Sequence, residues 1–239
     1  MSGEYMNCLA AYGVSSAHPG SLGLTRRMLD RERIHAGAKV LDAGCGTGGT
    51  AELLIKSYKT DVTALDLHPV MVEKAKQRLI GKPVEIIQGD IENLSLKSGT
   101  FDLVLSESVL AFTKVEQSLH HISRILKNEG VLLAVEMVKE DGLLPDHIKE
   151  LREFYSLPEL YGEGEWIHMF KSAGFDTVEC LYGLDGISTE ETEITPEFML
   201  SEILLEEHHD TLERHLELND LYQDLLGFRV FRCTKKNLK

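Results

Sequence analysis

From Lys39 onward, short apolar runs alternate with stretches whose apolar residues recur at helical spacing. The runs KVLDA, DVTALD, VEIIQ, FDLVLS and GVLLAVEMV read as strands. Between them TAELLIKSY, PVMVEKAKQRLI and KVEQSLHHISRILK read as helices, with a short turn around ENLSL. The last of these helices carries Leu119, Ile122, Ile125 and Leu126 on one face. Strands alternating with helix-length segments predict a parallel sheet in an α/β domain. Two helices are predicted before the first strand, over residues 4–12 and 21–34, with Ser21 placed to cap the second. Beyond Glu136 the pattern predicts helices in PDHIKELREFY and EGEWIHMFKSAG and a strand in FDTVECLYG. A long helix through TPEFMLSEILLEEHHDTLERHLELNDLY follows, capped by Thr195 with Pro196 at its first position, and LLGFRVFRCTKK closes the chain as a strand.

No repeat, low-complexity tract or linker divides the 239 residues, so a single domain is expected. Residues 1–37 form its N-terminal helical lid, 38–138 its core, and 139–239 its second half with a helical insertion at 187–223. The chain is 43% hydrophobic and 27% charged, ordinary for a globular protein. No apolar run approaches the ~20 residues of a membrane span, and the first residues lack a basic segment before their apolar ones, so a cytoplasmic protein is expected. Cys8, Cys45, Cys180 and Cys233 are scattered without a C-x-x-C pair, which argues against a zinc site and a disulfide framework. The net charge of −14 disfavours nucleic-acid and anionic-membrane partners. That charge is local: Asp185 to Asp224 holds 13 acidic residues against one basic, Arg214.

The stretch KVLDAGCGTGGTA follows the first strand. Gly44, Gly46 and Gly49 fit the G-x-G-x-x-G dinucleotide fingerprint, whereas Asp42, Gly44, Gly46 and Gly48 fit D-x-G-x-G-x-G. Either way, a strand turns sharply into a helix and a ligand approaches backbone where a Cβ would collide. Asp66, ending the second strand, is placed to accept both ribose hydroxyls, in a nicotinamide enzyme as much as in any other. Asp90 and Ile91, after the third strand, can serve an adenine amine and ring, with Leu67 on the ring's other face, and Ser106 ends the fourth strand.

The runs LDAGCGTG, LDLHPVMVEKA, GDIENL, FDLVLSESVL and LHHISRILKNEGVLLAVE, in this order, resemble the class I S-adenosylmethionine-dependent methyltransferases. The likeness is greatest to the branch of the ubiquinone and menaquinone C-methyltransferases. It covers about residues 38–138 and extends more loosely through AGFDTVECL. It implies a Rossmann-like, seven-stranded, mostly parallel sheet with an antiparallel last strand and helices on both faces. Carried over, Asp42, Gly44, Cys45, Gly46, Thr47 and Gly48 lie beside the methionine part of S-adenosylmethionine. Asp66 then takes the ribose, Leu67, Asp90 and Ile91 the adenine, and Ser106 the methionine amino group. KNEGVL departs from the family's proline-glycine turn, and HPGSLGLTRR resembles a segment that precedes the core in some members.

The implied reaction is an in-line methyl transfer to a small-molecule acceptor, in which alignment supplies roughly 7–11 kcal/mol. A general base is needed only when the acceptor must lose a proton. The candidates are Glu107, at the mouth of the fourth strand, and His18, in the loop before the core. Glu136 is a weaker candidate with a solvated alternative, while His120 and His121 read as structural and Cys45 lacks a neighbouring base. Tyr5, Tyr12, Phe154, Tyr155, Tyr161 and Trp166 can line an acceptor pocket or simply pack the core. Glu206 and His209 share an E-x-x-H spacing found in metal bundles, but one copy is too few, and no metal is expected. The insertion reads as a lid with Phe198, Leu200, Ile203, Leu204, Leu212 and Leu216 turned inward. The alternatives are a NAD(P)-dependent oxidoreductase, which lacks a Tyr-x-x-x-Lys pair here, and a non-catalytic S-adenosylmethionine-binding protein.

Overall fold

A computed structural model describes residues 3–181 and 197–235. Its sheet has seven strands: β1 (Lys39–Ala43), β2 (Asp61–Asp66), β3 (Val84–Gln88), β4 (Phe101–Glu107), β5 (Leu126–Lys139), β6 (Thr177–Cys180) and β7 (Leu226–Thr234). They lie in the order β3-β2-β1-β4-β5-β7-β6. The first five pair in parallel, and β7 runs antiparallel to both β5 and β6. Crossovers from β1 run one way to β2 and β3 and the other way to β4 and β5, which makes β1 a topological switch point.

Alternation along the strands sorts side chains onto two buried faces. Val40, Val62, Ala64, Leu103, Leu105 and Val135 pack against α2 (Ser21–Asp30), α3 (Gly49–Leu53) and α4 (Pro69–Arg78). Leu41, Leu65, Val104, Leu132 and Phe231 pack against α5 (Val115–Ile125), α6 (Pro145–Tyr155) and α7 (Glu163–Ser172). The N-terminal helix α1 (Glu4–Tyr12) and the late helix α8 (Glu206–Tyr222) sit outside these layers and pack on each other. Among the described residues no helix is long and apolar enough to cross a membrane.

Several sequence expectations change. The second helix stops at Asp30 rather than 34, α3 passes into a π-helical turn over Leu54–Tyr58, and the strand β5 begins four residues before the expected GVLLAVEMV. The largest change is in the insertion, where Thr195 and Pro196 lie outside the described residues and the helix begins only at Glu206. Residues 197–201 instead run extended beside residues 11–15. Ser15 N–H donates to the Glu197 carbonyl at 2.9 Å, Met199 N–H to Gly13 at 3.0 Å and Ser201 N–H to Ala11 at 2.8 Å. Backbone pairing with a segment far away in sequence overrides the local helical period. Phe198, Leu200, Ile203 and Leu216 are consequently exposed, and α8 buries Leu218 and Tyr222.

Glu136 is likewise not solvated. It is fully buried on β5, and its carboxylate accepts backbone N–H bonds from Leu110 (3.0 Å), Ala111 (3.1 Å) and, more loosely, Val109 (3.4 Å). This fixes the turn that follows β4. Burial pushes the carboxyl up to about 8, against the pull of those amides and of the Ser106 hydroxyl. Between its ordinary value of 4.5 and about 8, the folded chain keeps a proton that the unfolded chain has lost. Stability therefore falls as pH rises through that window, by up to about 1.4 kcal/mol per pH unit for this one group. Urea unfolding of wild type and Glu136→Gln at several pH values from 5 to 8 should show the slope reduced in the variant. Parallel slopes in the two proteins would remove this assignment.

Candidate active site

Asp42, Asp66 and Glu107 belong to three adjacent parallel strands, β1, β2 and β4, and all stand at the carboxyl end of the sheet. The glycine loop leaves β1 between them. It is anchored by Gly44 and Cys45 N–H, which both donate to the Leu65 carbonyl at 2.7 and 2.9 Å. Gly44, Gly46 and Gly48 take φ of +81°, +52° and +83°, which side chains disfavour. Their surroundings differ. A Cβ on Gly44 would collide with Val109, and one on Gly48 would press on Leu79 at 3.0 Å. A Cβ on Gly46 would meet no protein atom within 4 Å. Two of the glycines serve packing, and Gly46 presents bare backbone to the cleft.

The Asp66 carboxylate accepts from Gly46 N–H and His68 N–H, each at 2.8 Å. Burial raises its pKa, and those amides oppose the rise. Asp42 is buried, its Oδ2 has no hydrogen-bond partner, and its pKa lies well above the ordinary value. Desolvation is the main cause, with Glu107 and Asp66 adding repulsion. Thr47 Oγ1 is a second buried polar atom without a partner in this loop. Cys45 stays a buried thiol, its pKa raised well above the usual by desolvation and by Asp42, which makes it a poor nucleophile.

His18 and Glu107 come together. Glu107 Oε1 accepts from Thr25 Oγ1 at 2.6 Å and stands 3.5 Å from His18 Nε2, while Oε2 accepts from Thr50 Oγ1 at 2.8 Å. His18 Nδ1 lies 3.2 Å from the Pro19 carbonyl. The carboxylate thus joins β4, the N-terminal segment and the start of α3. Thr25 and Thr50 were not singled out in the sequence, although His18 and Thr25 both lie in HPGSLGLTRR and Thr50 directly follows the glycines.

Ser106 is fully buried beside Glu136. Leu67 is 59% exposed at the end of β2, whereas Ile91 is buried in the core. Asp90 is exposed and its Oδ1 accepts from Glu92 N–H at 2.8 Å, capping the short helical turn Ile91–Asn93. Of the aromatic candidates, Tyr5, Phe154 and Tyr155 converge with Phe112 and His215. Tyr12 bonds His209 instead, and Trp166 lies wholly in the core with its Nε1–H on the Met137 carbonyl. His209 of the E-x-x-H pair is therefore engaged with α1. Among the described residues no three side chains are grouped to hold a metal ion.

Comparison with known proteins agrees with this geometry. Residues 41–134, from the glycine loop into β5, match the methyltransferase domain family. An uncharacterized methyltransferase of Bacillus subtilis (strain 168), YodH, is 36% identical over 234 residues, 97% of this chain and 99% of that protein. The quinone branch is the looser likeness: 2-methyl-6-phytyl-1,4-hydroquinone methyltransferase 1 of Oryza sativa subsp. japonica is 32% identical over 62% of this chain and 44% of its own. Phosphoethanolamine N-methyltransferase 2 of Haemonchus contortus, solved with phosphomonomethylethanolamine and S-adenosylhomocysteine, shares the fold with a TM-score of 0.76 at 18% identity. The alignment covers 98% of this chain and 58% of that one. With a full-length relative at 36% identity and a domain match that includes the glycine loop, the chain belongs to the class I S-adenosylmethionine-dependent methyltransferases.

Proposed function

We propose that this methyltransferase acts on a small-molecule acceptor, and that the strand-end carboxylates hold its cofactor. The observation that carries the reading is the convergence of Asp42, Asp66 and Glu107 around bare backbone at Gly46. Glu107 and Asp66 raise the cost of ionising Asp42, and a cationic ligand would relieve it. S-adenosylmethionine supplies an electrophilic methyl group on a sulfonium, together with an ammonium and a ribose. Gly44, Gly46 and Gly48 would face its methionine part and Ser106 its amino group. Asp66 would accept the ribose hydroxyls on lone pairs left over from Gly46 and His68, and Leu67, Asp90 and Ile91 would bound the adenine. Cys45 and Thr47 would complete the loop.

Glu107 and His18 would serve the reacting end. With its two oxygens fixed by Thr25 and Thr50 and His18 beside it, Glu107 would first serve to oppose positive charge. It would take a proton only from an acceptor that must lose one. The N-terminal segment crosses the carboxyl ends of β2 and β4, through Asn7 on His68 (3.2 Å) and Thr25 on Glu107. Together with the 197–201 segment it would form the lid that keeps water from the site. All four cysteines are free, which supports a reducing, cytoplasmic setting.

Thermal-shift measurements should show stabilisation by S-adenosylhomocysteine and none by NAD. The reverse result would return the glycine loop to the nicotinamide reading. Asp66→Ala should weaken S-adenosylmethionine binding at least tenfold in calorimetry, because each bond to a charged acceptor is worth about 1.5–3 kcal/mol. Unchanged affinity in the folded variant would take Asp66 out of the site.

Cofactor affinity should also depend on pH. A bound cation favours ionised Asp42, whose pKa is raised in the free protein, so binding releases a proton and tightens as pH rises through that value. Calorimetry from pH 5 to 8 should show this dependence in wild type and a flatter profile in Asp42→Asn. Gly46→Val should remove binding, and because a branched side chain at φ +52° also strains the loop, a thermal melt checks that the variant is folded. Normal binding by that variant would mean that the loop does not face the cofactor.

A further inference from the structure

Arg78 takes no part in the site described so far, yet it touches three elements around it. Its Nε–H donates to the Thr47 carbonyl in the glycine loop at 2.9 Å, and its Nη1 donates to Glu197 Oε2 at 2.6 Å. Glu52 Oε2 on α3 stands 3.7 Å away. The Arg78 side chain is 10% exposed, whereas that of Glu197 is 71% exposed. A planar guanidinium with donors in fixed directions can make this bridge, and a lysine ammonium cannot.

Glu197 is fastened to the N-terminal segment. Its carbonyl accepts from Ser15 N–H at 2.9 Å and its own N–H donates to Ser15 Oγ at 3.1 Å. Ser15 and Ser16 in turn lie over the start of α3: a Cβ on Gly49 would sit 3.1 Å from Ser16 Oγ and 3.5 Å from Ser15 Cβ. The far end of this arrangement is held differently. Lys74, one turn before Arg78 on α4, is buried, and its Nζ donates to the Ala10 and Ala11 carbonyls and to Ser201 Oγ at 2.6, 3.1 and 3.1 Å. These three partners are uncharged, Ala10 and Ala11 buried and Ser201 partly so. One end of the paired segments is therefore tied by a buried lysine on uncharged acceptors and the other by a solvent-facing ion pair.

We propose that residues 11–16 and 197–201 form one cover over the cofactor site, hinged at Lys74 and latched by Arg78 and Glu197. Arg78 is a positioning residue: when the cover is down, it also holds the Thr47 carbonyl and with it the glycine loop. The proposal rests on the assignment of that loop to S-adenosylmethionine. Opening breaks the exposed ion pair first, because water and salt compensate it readily, while the Lys74 end keeps the segments in register.

The test uses the whole chain as wild type, Glu197→Gln and Arg78→Lys, with two readouts. Amide hydrogen exchange without cofactor should show faster exchange in residues 11–16 and in the glycine loop together in Glu197→Gln. Stopped-flow displacement of S-adenosylhomocysteine should show its dissociation accelerated about three- to tenfold, the scale expected for loss of one partly exposed ion pair. Association should accelerate as well, so Kd changes less than either rate. Raising salt from 50 to 500 mM should speed dissociation from wild type and leave Glu197→Gln nearly unaffected. Arg78→Lys should add a loss of affinity, because Thr47 loses its donor. Wild-type exchange and wild-type dissociation rates in Glu197→Gln, a surface change that leaves the core intact, would overturn the latch. Failure of wild type to bind S-adenosylhomocysteine would instead overturn the cofactor assignment, and the exchange measurement would still decide whether the cover is latched.

Discussion

The convergence of three carboxylates on one sheet edge, with Glu107 and Asp66 repelling the buried Asp42, is the constraint that organises this region. Parallel strands deliver Asp42, Asp66 and Glu107 to one edge because β2, β1 and β4 are neighbours at the switch point. Each is answered differently. Asp66 is held by two backbone amides and Glu107 by two threonine hydroxyls with a histidine beside them, while Asp42 keeps an oxygen without a partner. The buried carboxyl with an unpartnered oxygen thus lies where the glycine loop turns. The same arrangement ties down the N-terminal segment: Thr25 donates to the Glu107 carboxylate and His18 stands beside it.

Glu107 and Glu136 show how neighbouring strand ends make opposite use of one residue type. They project from opposite faces of the sheet, one toward α2 and α3, the other toward the turn after β4. Glu136 spends its oxygens on main-chain amides and is pushed up to about 8 by burial, so it serves shape rather than proton transfer. It holds the turn bearing Val109, the residue that leaves no room for a side chain at Gly44. The conformation of the glycine loop is thus set partly from a strand two places away.

The sheet was legible because each strand from β1 to β4 is an apolar run bounded by turn residues, and β1, β2 and β3 fall at the expected residues. The proposed site residues were legible for a related reason: parallel strands put them at strand ends, which sequence locates well. What could not be read depends on contacts between distant segments. The helical spacing of Leu200, Ile203 and Leu204 is real, but it yields to hydrogen bonds that residues 197–201 make with residues 11–15, some 185 positions earlier. Thr25, Thr50 and Arg78 look like ordinary helix residues until the fold sets them against Glu107, Thr47 and Glu197. Burial of Glu136 depends on a turn whose path no local pattern records.

The division between core and cover also separates two kinds of information. The methyltransferase match ends at residue 134, and the core it spans contains the glycine loop with Asp42, Asp66 and Glu107. The aromatic seam of Tyr5, Phe154, Tyr155 and His215 is built outside that match, from α1, α6 and α8. Cofactor chemistry then follows from the part shared across the family. Tyr5 in the seam and Ala11, whose carbonyl accepts from Ser201 N–H, both belong to α1, so one nine-residue helix joins the seam to the segment paired with residues 197–201.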